Sequence, residues 1–179
     1  KQPRFSWKLA PADASAFAQQ QTAYLITVSS SKDQPGNKAD IWNSGWIPSG
    51  ESHLIPYKGK ALLSDKDYYW TVSVKDEKGI ISQPGKTAHF STGLFDQEEW
   101  TAKWIGTDEV YDPYKGSNKI PDPWMRKSFD LKTKPERAVL YVASVGYHEV
   151  YVNGKKIDAH VLAPAVTDHT QRARYIAYD

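Results

Sequence analysis

The chain has 179 residues with 23 Lys and Arg against 21 Asp and Glu, and a net charge of +2 gives no field suited to nucleic acid or an anionic membrane surface. Cysteine is absent, which removes disulfides, thiol nucleophiles and cysteine-zinc sites, and no apolar run approaches the ~20 residues of a membrane helix. Trp, Tyr and Phe make 13% of the chain, a density that suits β-sheet cores and sugar-binding surfaces equally.

In chain order, residues 10–21 hold Ala and Gln without a 3.6-residue apolar repeat, so they read as a loop. Residues 23–28 alternate, with Tyr24, Ile26 and Val28 on the inward face. Residues 68–74 alternate more clearly: Tyr68, Trp70, Val72 and Val74 share one face and Tyr69, Thr71 and Ser73 the other. A further strand is expected over 87–91. With turn-forming Gly, Pro, Asp and Asn between them, the first ~93 residues carry about seven short strand signals and no helix, the pattern of a β-sandwich. Leu62, six residues before Tyr68, suits a tyrosine corner, in which the phenol folds back onto the preceding turn.

A domain boundary is expected near Leu94, giving units 1–94 and 95–179. Asp96-Gln97-Glu98-Glu99 is a polar connector, a new apolar pattern runs over 100–106, and residues 107–123 form a proline-bearing surface loop. Strands are expected over 124–131, 138–143 and 147–152. Asn153-Gly154 signals a two-residue hairpin, with 155–157 returning. The last segment reads strand, turn, strand, loop, strand with no closing element. The expectation is therefore the front of a longer protein, with residues 174–178 as an edge strand or a frayed tail.

Catalysis has no good candidate. The adjacent acids Asp65 and Asp67, and Glu98 and Glu99, read as solvated turn residues. The five histidines lack metal-binding spacing, and His148, alternating with Val150 and Val152, reads as a packed or edge residue. No Gly-x-Ser-x-Gly elbow occurs. Asp108, Glu109, Asp112, Asn118 and Asp122 put oxygen ligands into one loop, which makes calcium the one cofactor left open, against a simple solvated loop; no metal ligand set is assigned. Tyr111, Tyr114 and Trp124 flank that loop as candidate sugar-stacking aromatics, the alternative being that Trp124 packs into a sandwich. Trp7, Trp42 and Trp70 suit core packing, and Trp100 and Trp104 suit packing between the two domains.

Several phrases stand in order: Pro3-Arg4-Phe5-Ser6-Trp7, Ile41-Trp42-Asn43-Ser44-Gly45, Tyr68-Tyr69-Trp70-Thr71-Val72, Phe90-Ser91-Thr92-Gly93-Leu94, Trp100-Thr101-Ala102-Lys103-Trp104-Ile105-Gly106, Tyr151-Val152-Asn153-Gly154 and Leu162-Ala163-Pro164. Together they resemble the N-terminal region of bacterial α-L-rhamnosidases of glycoside hydrolase family 78. The resemblance implies an all-β chain: a fibronectin type III or immunoglobulin-like sandwich, then an incomplete jelly-roll sandwich of the sugar-binding type. It implies a downstream (α/α)6 barrel in the same polypeptide, where paired carboxyls hydrolyse terminal rhamnose with inversion. The region itself is then a non-catalytic accessory piece without a cofactor, periplasmic or extracellular by family habit, with a cytoplasmic setting as the alternative. The alternatives are a carbohydrate-binding module for a rhamnose-containing glycan and a protein-interaction module. Ala165 and His169 depart from the family pattern in their loop.

Overall fold

The computed structural model describes residues 2–107 and 123–179, apart from residues 12, 14, 16 and 35. The chain divides into two units, Lys1–Ala102 and Lys103–Asp179.

Among the described residues the first unit has seven strands: β1 (Arg4–Phe5), β2 (Gln21–Ser29), β3 (Trp42–Asn43), β4 (Ile47–Pro48), β5 (Ile55–Pro56), β6 (Asp67–Asp76) and β7 (Ala88–Ser91). The central pair is β2 and β6, the two longest, antiparallel with Ile26 opposite Val72 and Val28 opposite Trp70. β3 and β4 share the outer edge of β2, and β7 lies beyond β6. β1 and β5 form a separate antiparallel ribbon. Period-2 alternation decides what lies between these layers. Tyr24, Ile26 and Val28 from β2, Tyr68 from β6, and Phe5, Ile55 and Tyr57 from the ribbon segments form one buried cluster, with Trp42, Trp70, Val72, Val74 and Phe90 packed against it. Ile26 and Val28 are wholly buried. This is an immunoglobulin-like two-layer sandwich.

The opposite face of β2 and β6 departs from the alternation read in the sequence. Thr71 and Ser73 were expected outside, yet they, Thr27 and Ser29 are all buried. These are short side chains on the two longest strands of the sheet. Thr27 and Thr71 satisfy each other across the strands, Oγ1 to Oγ1 at 2.9 Å.

The tyrosine corner is present. The Leu63 backbone N–H donates to Tyr68 Oη at 2.9 Å, and Tyr68 stacks on Phe90 at 5.4 Å across β6 and β7. Changing Tyr68 to Phe keeps the ring and removes the acceptor, so urea unfolding is expected to show a loss of about 1 kcal/mol. No loss would mean that the corner holds without the bond.

At the far end of β2, Gln21 is buried with its amide fully used. Trp7 Nε1 donates to its Oε1 at 2.9 Å, and its Nε2 donates to Ser49 O at 3.0 Å and Glu51 O at 2.9 Å. One side chain thus joins the segments that flank β1, β4 and β5. The connector after β7 stays with this unit through Glu99. Its Oε2 accepts from Ser64 Oγ at 2.7 Å and from the backbone N–H groups of Phe95 and Asp96 at 2.8 and 2.9 Å.

The second unit holds β8 (Leu140–Ser144), β9 (Tyr151–Val152), β10 (Lys155–Lys156) and β11 (Arg174–Tyr178). β8 pairs antiparallel with β11 from Leu140 opposite Tyr178 to Ser144 opposite Arg174, so residues 174–178 are an ordered strand. β9 and β10 close on Asn153-Gly154, whose φ values of 50° and 77° are those of the expected turn. Glu149 braces this hairpin, accepting from Lys156 Nζ at 2.5 Å and from Tyr151 Oη at 2.7 Å.

Two expectations are corrected here. Residues 124–131 do not form a strand, and β9 is only two residues long. An alternating apolar sequence makes a strand only when a neighbour completes its backbone hydrogen bonds, and none among the described residues does so for 124–131.

Candidate functional site

Trp124 is the aromatic that stands out. It is 96% exposed, and Phe129 and Leu131 on the same extended segment are also exposed. Among the described residues, none buries Trp124. Its two proposed companions, Tyr111 and Tyr114, lie outside the described residues, as do Asp108, Glu109, Asp112, Asn118 and Asp122 of the calcium reading. Trp100 belongs to the first unit and Trp104 to the second, where it is 67% exposed.

Two of the candidate carboxylates, Glu99 and Asp67, are committed to structural bonds. Glu99 holds the connector as described. Asp67 Oδ1 accepts from Ser91 Oγ at 2.7 Å and lies 3.2 Å from His89 Nε2. This trio contains the residue types of a nucleophilic triad, so its geometry matters. In such a relay the imidazole stands between serine and carboxylate, one nitrogen to each. Here the same Nε2 faces both Asp67 and, at 3.4 Å, Ser91. One nitrogen cannot both be held by the carboxylate and take the serine proton, which Ser91 already gives to Asp67, so the trio ties β6 to β7 and does not activate a hydroxyl.

A shallow depression of about 550 Å3 opens beside this trio, between Ser30–Lys32 and Lys66–Tyr69. Its lining is mixed, with Ile41, Leu63 and the two tyrosines beside Lys32 and Lys66, and it holds one carboxyl, that of Asp67. Among the described residues no group of three or more His, Cys, Asp or Glu could hold a metal ion. No described helix is long and apolar enough to cross a membrane.

His148 is packed, as its alternation with Val150 and Val152 suggests, but its partners were not evident from the sequence. Ser144 Oγ lies 2.7 Å from its Nδ1 and Tyr178 Oη 2.8 Å from its Nε2. The Ser-x-Gly-x-His spacing is a faint local signal; Tyr178, thirty residues on, leaves none.

Among the described residues the geometry assembles no triad and no acid pair, and comparison with known proteins decides the family. The family described as "Rha78A-like, N-terminal immunoglobulin domain" matches residues 1–96. The chain belongs to the α-L-rhamnosidase family, as an N-terminal region. A second family description, "Alpha-L-rhamnosidase N-terminal domain", matches residues 133–179. An α-L-rhamnosidase of Alteromonas sp. is 35% identical over 99% of this chain and 19% of its own length. One from Formosa agariphila is 33% identical over 99% of this chain and 20% of its own. The solved α-L-rhamnosidase of Dictyoglumus thermophilum superposes on all of this chain and 21% of that one, with a TM-score of 0.83 and 36% identity. The chain therefore spans about a fifth of the rhamnosidases that it matches.

Proposed function

We propose that this chain is a non-catalytic accessory region of an α-L-rhamnosidase. In this reading the hydrolytic centre lies in a separate (α/α)6 barrel of the same polypeptide, acting on terminal α-L-rhamnose of glycans or glycosides. The observation that carries the proposal is the match to two N-terminal rhamnosidase domains, one in each structural unit, with relatives about five times longer. The commitment of Asp67 and Glu99 to backbone and hydroxyl donors agrees with it, because inverting hydrolysis needs two carboxyls ~6.5–9.5 Å apart across a substrate cleft. A periplasmic or extracellular setting goes with that role.

One observation favours a second reading. Trp124, 96% exposed, offers a bare indole face of the kind on which sugar rings stack, which would make the second unit a carbohydrate-binding module. One experiment addresses both readings. The 179-residue chain is incubated with an aryl α-L-rhamnoside, then titrated calorimetrically with L-rhamnose with and without calcium. Absence of both turnover and saturable heat is the result expected of the accessory region. Saturable heat that is lost on Trp124→Ala would establish the second reading, and turnover would overturn both.

A further inference from the structure

The second unit contains a one-way chain of hydrogen bonds centred on His148. Ser144 Oγ donates to the Gly146 carbonyl at 2.7 Å. A hydroxyl has one proton, so towards His148 Nδ1, 2.7 Å away, Ser144 Oγ can only accept. With the Ser144 proton directed to the Gly146 carbonyl, the neutral tautomer is assigned with its proton on Nδ1. Nε2 then carries a lone pair and accepts from Tyr178 Oη at 2.8 Å. The proton order is Tyr178 to His148 to Ser144 to Gly146, each bond polarising the next. The chain links the start and end of the ribbon, since Ser144 closes β8 and Tyr178 lies on β11. The backbone adds a fourth tie, as His148 N–H donates to Ala163 O at 2.8 Å.

We propose that Ser144, His148 and Tyr178 form a pH-gated clasp that fastens the β8–β11 ribbon to the 145–148 turn while His148 is neutral and loosens it in acid. The reason is the direction of the chain. A second proton on His148 must sit on Nε2, where it meets the Tyr178 O–H head on. The phenol can accept it only by turning its own proton away, and Tyr178 is 7% exposed, so that proton loses its partner in a place that water scarcely reaches.

The surrounding charges agree in sign. Burial holds His148 below its ordinary value of 6.5, partly offset by the negative charge of Asp158. Asp158 is itself engaged by His160 Nδ1 at 2.6 Å. Glu149, next to His148 in sequence, bonds Lys156 and Tyr151. Lys156 and Asp158 act in opposite directions on Tyr178, whose own value burial raises. Because folding lowers the His148 value, the folded unit binds fewer protons than the unfolded chain. The stabilisation is complete above pH ~6.5 and is lost as pH falls through that value towards the folded one.

The test uses the 179-residue chain. The His148 ring resonance is followed by NMR between pH ~8 and ~4, together with hydrogen exchange of the His148 amide, corrected for its intrinsic pH dependence. His148 is expected to titrate below 6.5. Its amide protection should fall between pH ~7.5 and ~5, by up to about tenfold for every pH unit that separates the His148 midpoint from the ordinary histidine value. In Tyr178→Phe the donor conflict is gone and the His148 midpoint rises; in His148→Gln the protection becomes independent of pH. Should His148→Gln fail to fold, the wild-type titration and the change of midpoint in Tyr178→Phe still decide. A His148 midpoint at or above 6.5, or one that Tyr178→Phe leaves in place, overturns the clasp.

Discussion

Replacing Phe5 with alanine is expected to destabilise the first unit by about 3–5 kcal/mol, the cost of emptying a well-packed aromatic site. Phe5 is 3% exposed, and its ring lies 4.7 Å from Trp70, 6.0 Å from Phe90 and 6.1 Å from Trp42. These three residues come from three strands of the large sheet, whereas β1 itself is two residues long and pairs only with β5. With so short a ladder, the side chain supplies most of what holds the N-terminal strand down. Converted at ~4 °C or more per kcal/mol for a domain near 100 residues, the melting temperature of the sandwich should drop by about 12 °C or more. A drop below about 4 °C would show that the ring is dispensable.

Gly59→Ala is the second large effect, and it acts through excess volume. A Cβ at this position would run into Tyr57 Oη and stand 2.5 Å from Trp42 Cβ and 2.6 Å from Tyr57 Cζ. Neither obstacle yields easily. Tyr57 is 3% exposed and donates from Oη to Lys60 O at 2.6 Å, and its ring packs edge-on against Trp42 at 5.1 Å. Burial pushes its hydroxyl up to about 12, so the phenol stays neutral and a donor at ordinary pH. Overpacking of this kind costs about 1–3 kcal/mol, and loss of the Tyr57 bond adds to it. Chemical denaturation of the variant should show the midpoint shifted down with little change in slope. A midpoint equal to the wild type would mean that the loop carrying Gly59 relaxes freely.

The sandwich was legible because its signals are local. Tyr24, Ile26 and Val28, or Tyr68, Trp70, Val72 and Val74, declare their inward face by period alone, and Leu62 with Tyr68 declares the corner. Asn153-Gly154 announces its own turn. Legibility failed where a residue's state depends on what lies beside it in space. Residues 124–131 read as a strand, but pairing is supplied by another segment, and among the described residues none pairs with them and Trp124 is left bare. Thr71 and Ser73 look like surface residues in the sequence, yet both are buried. Asp67, His89 and Ser91 looked unrelated in sequence, and only the register of β6 on β7 sets Asp67 opposite Ser91 and His89 opposite Tyr69. The His148 chain was hidden for the same reason, since its phenol arrives through the pairing of β11 with β8.

The carboxylate of Glu99 bears on how the two units can be separated. Severing the polypeptide after Leu94, where the apolar pattern of the sandwich ends, would strip Ser64 Oγ of two partners, the Glu99 carboxylate that it donates to and the Phe95 amide that donates to it. The hydroxyl of Ser64 also reaches Gly93 O at 3.1 Å, beside the Thr92 that bonds the corner at Leu63 O and Lys66 O. An excision there would unpick the hem of the sandwich from its cut edge inwards, whereas one after Ala102 would leave that edge sewn.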